Sequence, residues 1–227
     1  MKIEIDRSLF VFQLKTLLAN KMSMGMLLFW HWTLGGFAFA KKGVAAGIAP
    51  DAVLWTNYGL FLGTCLVAVM GSICVSFTLV KPRAYGMVEL LLASPLSLRK
   101  FAATSFATCF SFSAVNLALH FLVLKLRFGH APAGAGFYWA LAAVLAFAAF
   151  ILFGIVIMSL RRKDADQLYI LLVGIGMGTY APAMFTKLRL DIAAWLPPAL
   201  AAAFLLGAAA LWFYFHKLIS KEKAVLA

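Results

Sequence analysis

Charged residues are scarce in this sequence and absent from its long apolar runs. Of the 227 residues, 64% are hydrophobic and 12% are Asp, Glu, Lys or Arg, whereas a soluble domain carries roughly 25% charged residues. The scarcity excludes an ordinary soluble surface and predicts that lipid surrounds most of the chain. The formal net charge of +12 does not indicate nucleic-acid binding, because the basic residues lie in short segments and form no continuous basic face.

Motifs for catalysis and nucleotide binding are also missing. The dipeptide Gly-Lys never occurs, so the phosphate-binding loop of ATPases has no counterpart, and neither H-E-x-x-H nor G-x-S-x-G is present. The closest acidic pair, Asp164 and Asp166, stands among basic residues and is typical of a solvated loop. Cys65, Cys74 and Cys109 lie inside apolar runs without a C-x-x-C pair, which argues against disulfides and metal binding. We expect a chain that is not an enzyme and holds no cofactor of its own.

Six apolar segments are long enough, or nearly so, to cross a hydrocarbon core of about 30 Å. They cover about 22–39, 52–80, 101–124, 137–160, 168–183 and 197–215. The second is long enough to tilt or to project from the bilayer. The fifth is short and rich in glycine, and we expect it to break at Pro182. A re-entrant or interfacial piece then fills about 182–196, and Pro197 and Pro198 begin the last span, since proline suits the first turn of a helix.

The distribution of Lys and Arg predicts the orientation of these spans. The segments 1–21, 81–100, 161–167 and 216–227 carry fourteen basic residues, and the segments 40–51, 125–136 and 184–196 on the opposite side carry six. Both termini are therefore predicted to be cytoplasmic. The predicted fold class is an all-α integral membrane domain over 1–227, with an interfacial helix at 1–21, a six-span bundle at 22–215 and a cytoplasmic tail at 216–227.

The stretch IDRSLFVFQLKTLLANK at the N-terminus is predicted to form an amphipathic helix on the membrane surface. Helical spacing places four apolar side chains on one face: Phe10, Leu14, Leu17 and Leu18. Three basic residues, Arg7, Lys15 and Lys21, are expected to contact lipid headgroups. A disordered basic tail is the alternative.

Two histidines are the ionisable candidates inside the predicted spans, and five glycines are the candidates for close helix contacts. His31 and His120 are expected to form hydrogen bonds within the bundle, and a role along a substrate pathway is the functional alternative. Gly59 and Gly63 have the small-xxx-small spacing of close helix packing, within the chain rather than in a dimer. Gly174, Gly176 and Gly178 are expected to line a subunit contact or to permit a bend.

The segment YGMVELLLASPLSLRKF is the most informative stretch of the sequence. It follows the second span, and Tyr85, Val88 and Leu92 have helical spacing. Pro95 disfavours helical geometry at Ser94, so a short helix is predicted to end there. Ser97 is predicted to cap the third span, with Arg99 and Lys100 at the headgroups.

This segment resembles the cytoplasmic segment of ABC type-2 permeases, the six-span membrane subunits of ATP-driven exporters. The residues that match the family's pattern of glycine, glutamate, a leucine pair and Ser-Pro-Leu are Gly86, Glu89, Leu91, Leu92, Ser94, Pro95 and Leu96. Met87 stands where threonine is common, and Lys81 and Arg83 replace acidic residues. The six spans, the amphipathic leader and the broken fifth span extend the resemblance over most of the chain.

The resemblance implies that residues about 84–95 form a coupling helix that inserts into a separate ATPase subunit. Glu89 would be the polar contact, with Tyr85, Val88 and Leu92 on the same short helix. Two copies of the ATPase, holding ATP and Mg, and a second permease subunit, in a homo- or heterodimer, are the implied partners. The implied cargo is a hydrophobic or amphipathic molecule (a lipid-linked glycan, lipid, peptide or drug), exported across the cytoplasmic membrane of a bacterium. A haem-exporter-like permease, a membrane-embedded lipid enzyme and a non-transporting scaffold are the alternatives.

Overall fold

The computed structural model describes residues 4–21, 24–25, 52–86, 97–129, 134–161, 166–185 and 192–218. The regular elements in these ranges are all helical. The predicted first span, at about 22–39, lies outside the described residues except for 24–25, and so do 87–96, 186–191 and the tail at 219–227. The description therefore concerns the N-terminal helix and the region from the second predicted span to the sixth.

Helix α1 runs from Arg7 to Ala19 and is capped by Asp6, whose carboxylate accepts a hydrogen bond from the Leu9 N–H at 3.0 Å. Acceptor side chains stabilise helix starts because the first N–H groups have no partner within the helix. The buried side chains of α1 are Leu9, Gln13 and Leu17. Of the predicted apolar face, Leu17 is buried, Phe10 and Leu14 are half-buried and Leu18 is 50% exposed. Contact of this face with the membrane surface stays a prediction.

Helix α2, Ala52–Val75, continues through a π-helical segment, Ser76–Val80, into the short helix α3, Lys81–Ala84. The apolar part, Ala52–Val80, is 29 residues long, or about 44 Å at 1.5 Å per residue. It exceeds the thickness of a hydrocarbon core. This agrees with the expectation of a span that tilts or projects. The wider π turn was not expected from the sequence.

Helix α4 runs from Leu98 to Phe128 and is capped by Ser97, as predicted. The Ser97 hydroxyl accepts a hydrogen bond from the Lys100 N–H at 3.2 Å. The helix ends at Gly129, whose φ of 72° lies in the left-handed region that glycine adopts readily and whose N–H donates to the Lys125 carbonyl. Local cap chemistry therefore sets both ends of this helix.

Three further helices complete the described fold: α5, Ala135–Arg161; α6, Asp166–Phe185; and α7, Leu196–Leu218. The expected break at Pro182 is wrong, because α6 continues through this proline to Phe185. Proline removes one backbone hydrogen bond and clashes with the carbonyl of residue i−4, here Gly178. Helices in a bundle tolerate this local loss when neighbouring groups compensate for it. The start of α7 is as predicted, with Pro197 and Pro198 in its first turn.

Four helices of the described part are long and apolar enough to cross a membrane: Ala52–Val80, Leu98–Leu126, Ala135–Leu160 and Leu196–Phe215. A shorter apolar stretch, Ile170–Thr179, lies in α6. All five agree in position with predicted spans two to six.

The contacts between helices determine their directions. Thr78 and Tyr58 of α2 contact Cys109 and His120 of α4, respectively, so these two helices are antiparallel. The beginning of α2 lies beside the beginnings of α5 and α7, where Ala52, Ala135 and Pro197 line one cavity. Helices α2, α5 and α7 are therefore parallel, and α4 runs in the opposite direction, as consecutive membrane spans require. The main apolar core lies between α2, α4 and α5, with Leu66, Leu117 and Leu152 among its buried members.

Candidate functional site

The candidate coupling segment begins where α3 ends. The Tyr85 N–H donates to the Lys81 carbonyl at 3.2 Å, and Gly86 has a φ of 71°. This left-handed turn ends the helix that extends from α2. Tyr85 and Gly86 of the predicted coupling helix therefore lie in a turn. The Tyr85 side chain is 79% exposed. The other predicted coupling residues (Val88, Glu89, Leu91, Leu92, Ser94 and Pro95) lie outside the described residues.

The end of α2 that leads into this segment is fixed against α4. The Thr78 hydroxyl donates to the Cys74 carbonyl at 2.8 Å and lies 3.5 Å from the Cys109 Sγ. Thr78 and Cys109 are both buried. The Lys81 Nζ lies 4.0 Å from the centre of the Phe77 ring, a cation–π contact that holds the lysine stem along the helix. The chain thus leaves the bundle from a packed helix end.

The residues that follow the segment 87–96 also contact neighbouring helices. The Arg99 guanidinium lies 4.5 Å from the centre of the Trp212 ring, near the end of α7. The Lys100 Nζ lies 3.4 Å from an Asp6 carboxylate oxygen. The start of α4 therefore contacts the end of α7 and the start of α1, in the same region where α2 and α3 end.

A polar cluster attaches α1 to α4. The Asp6 N–H donates to the Thr104 Oγ1 at 2.8 Å. The Gln13 Nε2 donates to the Ser105 Oγ at 3.0 Å, and the Gln13 Oε1 accepts from the Thr108 Oγ1 at 2.9 Å. Gln13, Ser105 and Thr108 are buried. We call these residues, Asp6, Gln13, Thr104, Ser105 and Thr108, the docking cluster.

Asp6 is the titratable member of the docking cluster. The hydrogen bond from the Leu9 N–H holds the pKa of its carboxyl below the ordinary value, partial desolvation opposes this effect, and the Lys100 ammonium adds to the lowering. The charged form of Asp6 is therefore favoured, both as the cap of α1 and as the partner of Lys100.

The exposed side of α1 carries Arg7 and Lys15, and Lys21 is exposed just beyond its end. Two large apolar side chains, Phe12 and Leu18, are exposed there as well. This composition suits contact with a membrane surface. Headgroup binding by the three basic residues stays a prediction.

The predicted role of Gly59 and Gly63 within the chain is supported by their contacts. A Cβ at Gly59 would lie 3.0 Å from the Phe137 ring, and a Cβ at Gly63 would lie 3.3 Å from Val144, both on α5. Gly176 brings α6 against α2, because a Cβ there would lie 2.9 Å from Val69. Among the described residues no atom lies within 4 Å of a Cβ built at Gly174 or Gly178.

His120 is buried in a cluster of aromatic rings between α2, α4 and α5. Its ring stacks on Tyr58, with 6.4 Å between centroids, and lies edge to face with Phe121 at 5.6 Å. Such rings pack favourably in offset-stacked and edge-to-face arrangements. The position agrees with a residue inside the bundle and gives His120 no access to a cavity described here. His31 lies outside the described residues.

Two cavities follow one face of the parallel helices α2, α5 and α7. The first has a volume of about 380 Å³ and lies at the beginnings of these helices, lined among others by Ala52, Thr56, Gly136 and Pro197. The second, of about 280 Å³, lies farther along the same helices. It is lined by Leu60, Thr64, Ala143, Phe147, Thr179 and Phe204, among others. We call them the terminal cavity and the central cavity. Sequence reasoning missed both, because no charged or motif residue marks them.

A third, smaller cavity of about 190 Å³ lies at the opposite end, between Glu4, Ser97, Arg99, Lys100 and Trp212. In the part of the chain that the structure describes, no group of three or more His, Cys, Asp or Glu side chains could hold a metal ion.

No protein-family model, no curated protein and no solved structure matches the chain.

Proposed function

We propose that the chain is the membrane permease subunit of an ATP-driven ABC exporter, with six spans, both termini in the cytoplasm and a separate ATPase as its energy source. The cargo is hydrophobic or amphipathic. In this proposal the segment 87–96 lies on the cytoplasmic side, with the turn Tyr85–Gly86 before it, and contacts the ATPase through Glu89.

The anchoring of both ends of segment 87–96 is the observation that carries the proposal. Before the segment, Thr78 and Cys109 join α2 to α4. After it, Arg99 contacts α7 through Trp212, and Lys100 contacts α1 through Asp6. A connection between two adjacent antiparallel helices usually needs two to eight residues. A longer segment held firmly at both ends suits the transfer of a displacement from a partner to four helices at once.

The sequence supports an external energy source. Membrane transporters driven by ion gradients usually carry an ionisable residue within the bundle, and the predicted spans contain no Asp, Glu, Lys or Arg. The chain also has no phosphate-binding loop of its own. An ATPase partner would supply the energy that the chain's own residues do not.

Purification in mild detergent tests the proposal. We expect an ABC ATPase to co-purify with the chain and its ATP hydrolysis to depend on the permease. Glu89→Lys should abolish this dependence and transport while membrane insertion persists, because it reverses the charge at the proposed contact. Gly86→Pro should do the same, because proline holds φ near −65° and Gly86 requires a φ of 71°.

A matched substitution outside the segment separates coupling from folding. Ala203→Leu changes an exposed position of α7 and should leave ATPase stimulation unchanged. Full stimulation and transport in both the Glu89→Lys and Gly86→Pro variants would rule out a coupling role for this segment. Recovery of the chain with no ATPase under any mild condition would favour the scaffold or lipid-enzyme alternatives.

A further inference from the structure

The terminal and central cavities are consecutive parts of one crevice. On α2 the terminal cavity is lined by Ala52 and Thr56, and the central cavity by Leu60 and Thr64. This spacing of four residues keeps all four positions on one helix face. The lining residues of α5 also have this spacing of four residues, from Trp139 in the terminal cavity to Ala143 and Phe147 in the central cavity. From residue 52 to residue 64 the crevice follows α2 for about 18 Å.

The central cavity has an apolar wall. The Thr64 hydroxyl donates to the Leu60 carbonyl at 2.6 Å, and the Thr179 hydroxyl donates to the Ile175 carbonyl at 2.9 Å. Both hydroxyls are thus used within their own helices and present methyl groups alongside Leu60, Phe147 and Phe204. An apolar groove of this kind offers water few hydrogen-bond partners. It also forfeits dispersion contacts along its lining, so an apolar molecule of matching width is its natural occupant.

The terminal cavity is more polar, yet the described residues that line it carry no charge. Its lining includes Thr56 and Asn57, whose side chains donate to the Ala52 and Val53 carbonyls, and the half-exposed Trp139. A hydroxyl or amide group can form hydrogen bonds in such a place, whereas an ionised group would be desolvated without a partner of opposite charge. The lining of the crevice therefore changes from more polar at the beginnings of α2, α5 and α7 to apolar farther along these helices.

We propose that the crevice binds a single-chain amphiphile, with its apolar tail in the central cavity and its uncharged polar head in the terminal cavity. The volume of about 280 Å³ falls just below the range of roughly 300–1,000 Å³ for drug-sized pockets, which favours one chain over two. That this amphiphile is the exported cargo rests on the proposed function. That it binds in the crevice does not.

Photolabelling of the purified full chain, without any ATPase, tests the binding site. The probe is a medium-chain fatty alcohol with a diazirine at its methyl end. We expect saturable labelling of the residues around Leu60–Thr64 and Ala143–Phe147, which unlabelled alcohol competes away. The amine and carboxylate of the same chain length should compete about tenfold more weakly or worse, because the head would carry an unpaired charge.

Two substitutions at Thr64 change the central cavity in opposite directions. Thr64→Leu places a larger side chain in the cavity and should reduce labelling there about tenfold. Thr64→Ala enlarges the cavity and should retain it. Ala203→Leu, on the exposed side of α7, is the control and should label as the unchanged protein does. Gel filtration of each variant verifies that it is folded.

Labelling that does not saturate, or that falls mainly on the exposed side chains Leu206 and Phe213 of α7, would overturn the proposal. So would equal labelling of the Thr64→Leu and Thr64→Ala variants. Saturable labelling of a chain that stimulates no ATPase would support the crevice and refute the proposed function, so the two failures are distinguishable.

Discussion

Substitution of Gln13 tests whether the docking cluster holds α1 to the bundle. Gln13 makes two hydrogen bonds, to Ser105 and Thr108, in a buried place. Each such bond contributes about 0.5–1.5 kcal/mol in water-soluble proteins, and about 0.6 kcal/mol on average between membrane helices. Thr108 keeps a second acceptor, the Thr104 carbonyl at 3.0 Å, which reduces the loss. Gln13→Ala should therefore weaken the docking of α1 by roughly 1–3 kcal/mol.

Hydrogen exchange in α1, followed by mass spectrometry, measures this loss. If α1 exchanges by undocking and fraying, a change of about 1.4 kcal/mol raises the rate tenfold, so a loss of roughly 1–3 kcal/mol should raise it about five- to 150-fold. Thr16→Val is the control, because the exposed Thr16 hydroxyl donates to the Phe12 carbonyl of its own helix. Unchanged exchange in Gln13→Ala, with α1 still protected, would refute the view that the polar cluster fixes this helix.

Three further outcomes follow from the structure. The carboxyl of Asp6 has a lowered pKa in the folded protein, so its stabilising effect is complete above the ordinary pKa of an aspartate and is lost as the pH falls through the folded value. The protection of α1, measured relative to the intrinsic exchange rate at each pH, should therefore fall on acidification, and an Asp6→Asn variant should lack this component. Gly176→Ala should reduce the free energy of unfolding by about 1–3 kcal/mol and so lower the thermal midpoint, because its Cβ would lie 2.9 Å from Val69. Gly174→Ala should not lower the midpoint, since no described atom lies within 4 Å of a Cβ there. Equal midpoints would contradict the close contact of α6 with α2. The three cysteines are free and buried, so maleimide should label the folded chain slowly and the unfolded chain fully, and rapid labelling of the folded chain would contradict their positions.

The parts of the fold that depend on local chemistry were predictable from the sequence. The positions of the four long apolar helices and of the shorter apolar stretch in α6 follow from the apolar runs of the sequence. The cap of α4 at Ser97 follows from a hydroxyl before an apolar helix. The contacts of Gly59 and Gly63 follow from their spacing, because glycines on one helix face allow a neighbouring helix to approach closely.

The features that depend on tertiary partners were not predictable in the same way. The docking of α1 through Gln13 was not predicted, because its partner Ser105 lies 92 residues away in the sequence. The break at Pro182 was expected from the intrinsic effect of proline, which the helical surroundings overcame. The crevice has no sequence signal, since the Leu, Ala and Thr residues that line it are ordinary in any membrane helix.

The π-helical segment Ser76–Val80 has a consequence for insertions and deletions. A π turn contains about one residue more than an α turn, and each α-helical residue advances the chain by about 100° around the helix axis. Removal of one residue from this segment would restore regular α geometry and still complete one full turn, so Tyr85 and Gly86 would stay on nearly the same side of α2. The π segment thus holds one extra residue without rotating the far end of α2. A deletion of one residue should therefore be tolerated better here than in the α-helical part of α2, where it would rotate everything beyond it by about 100°.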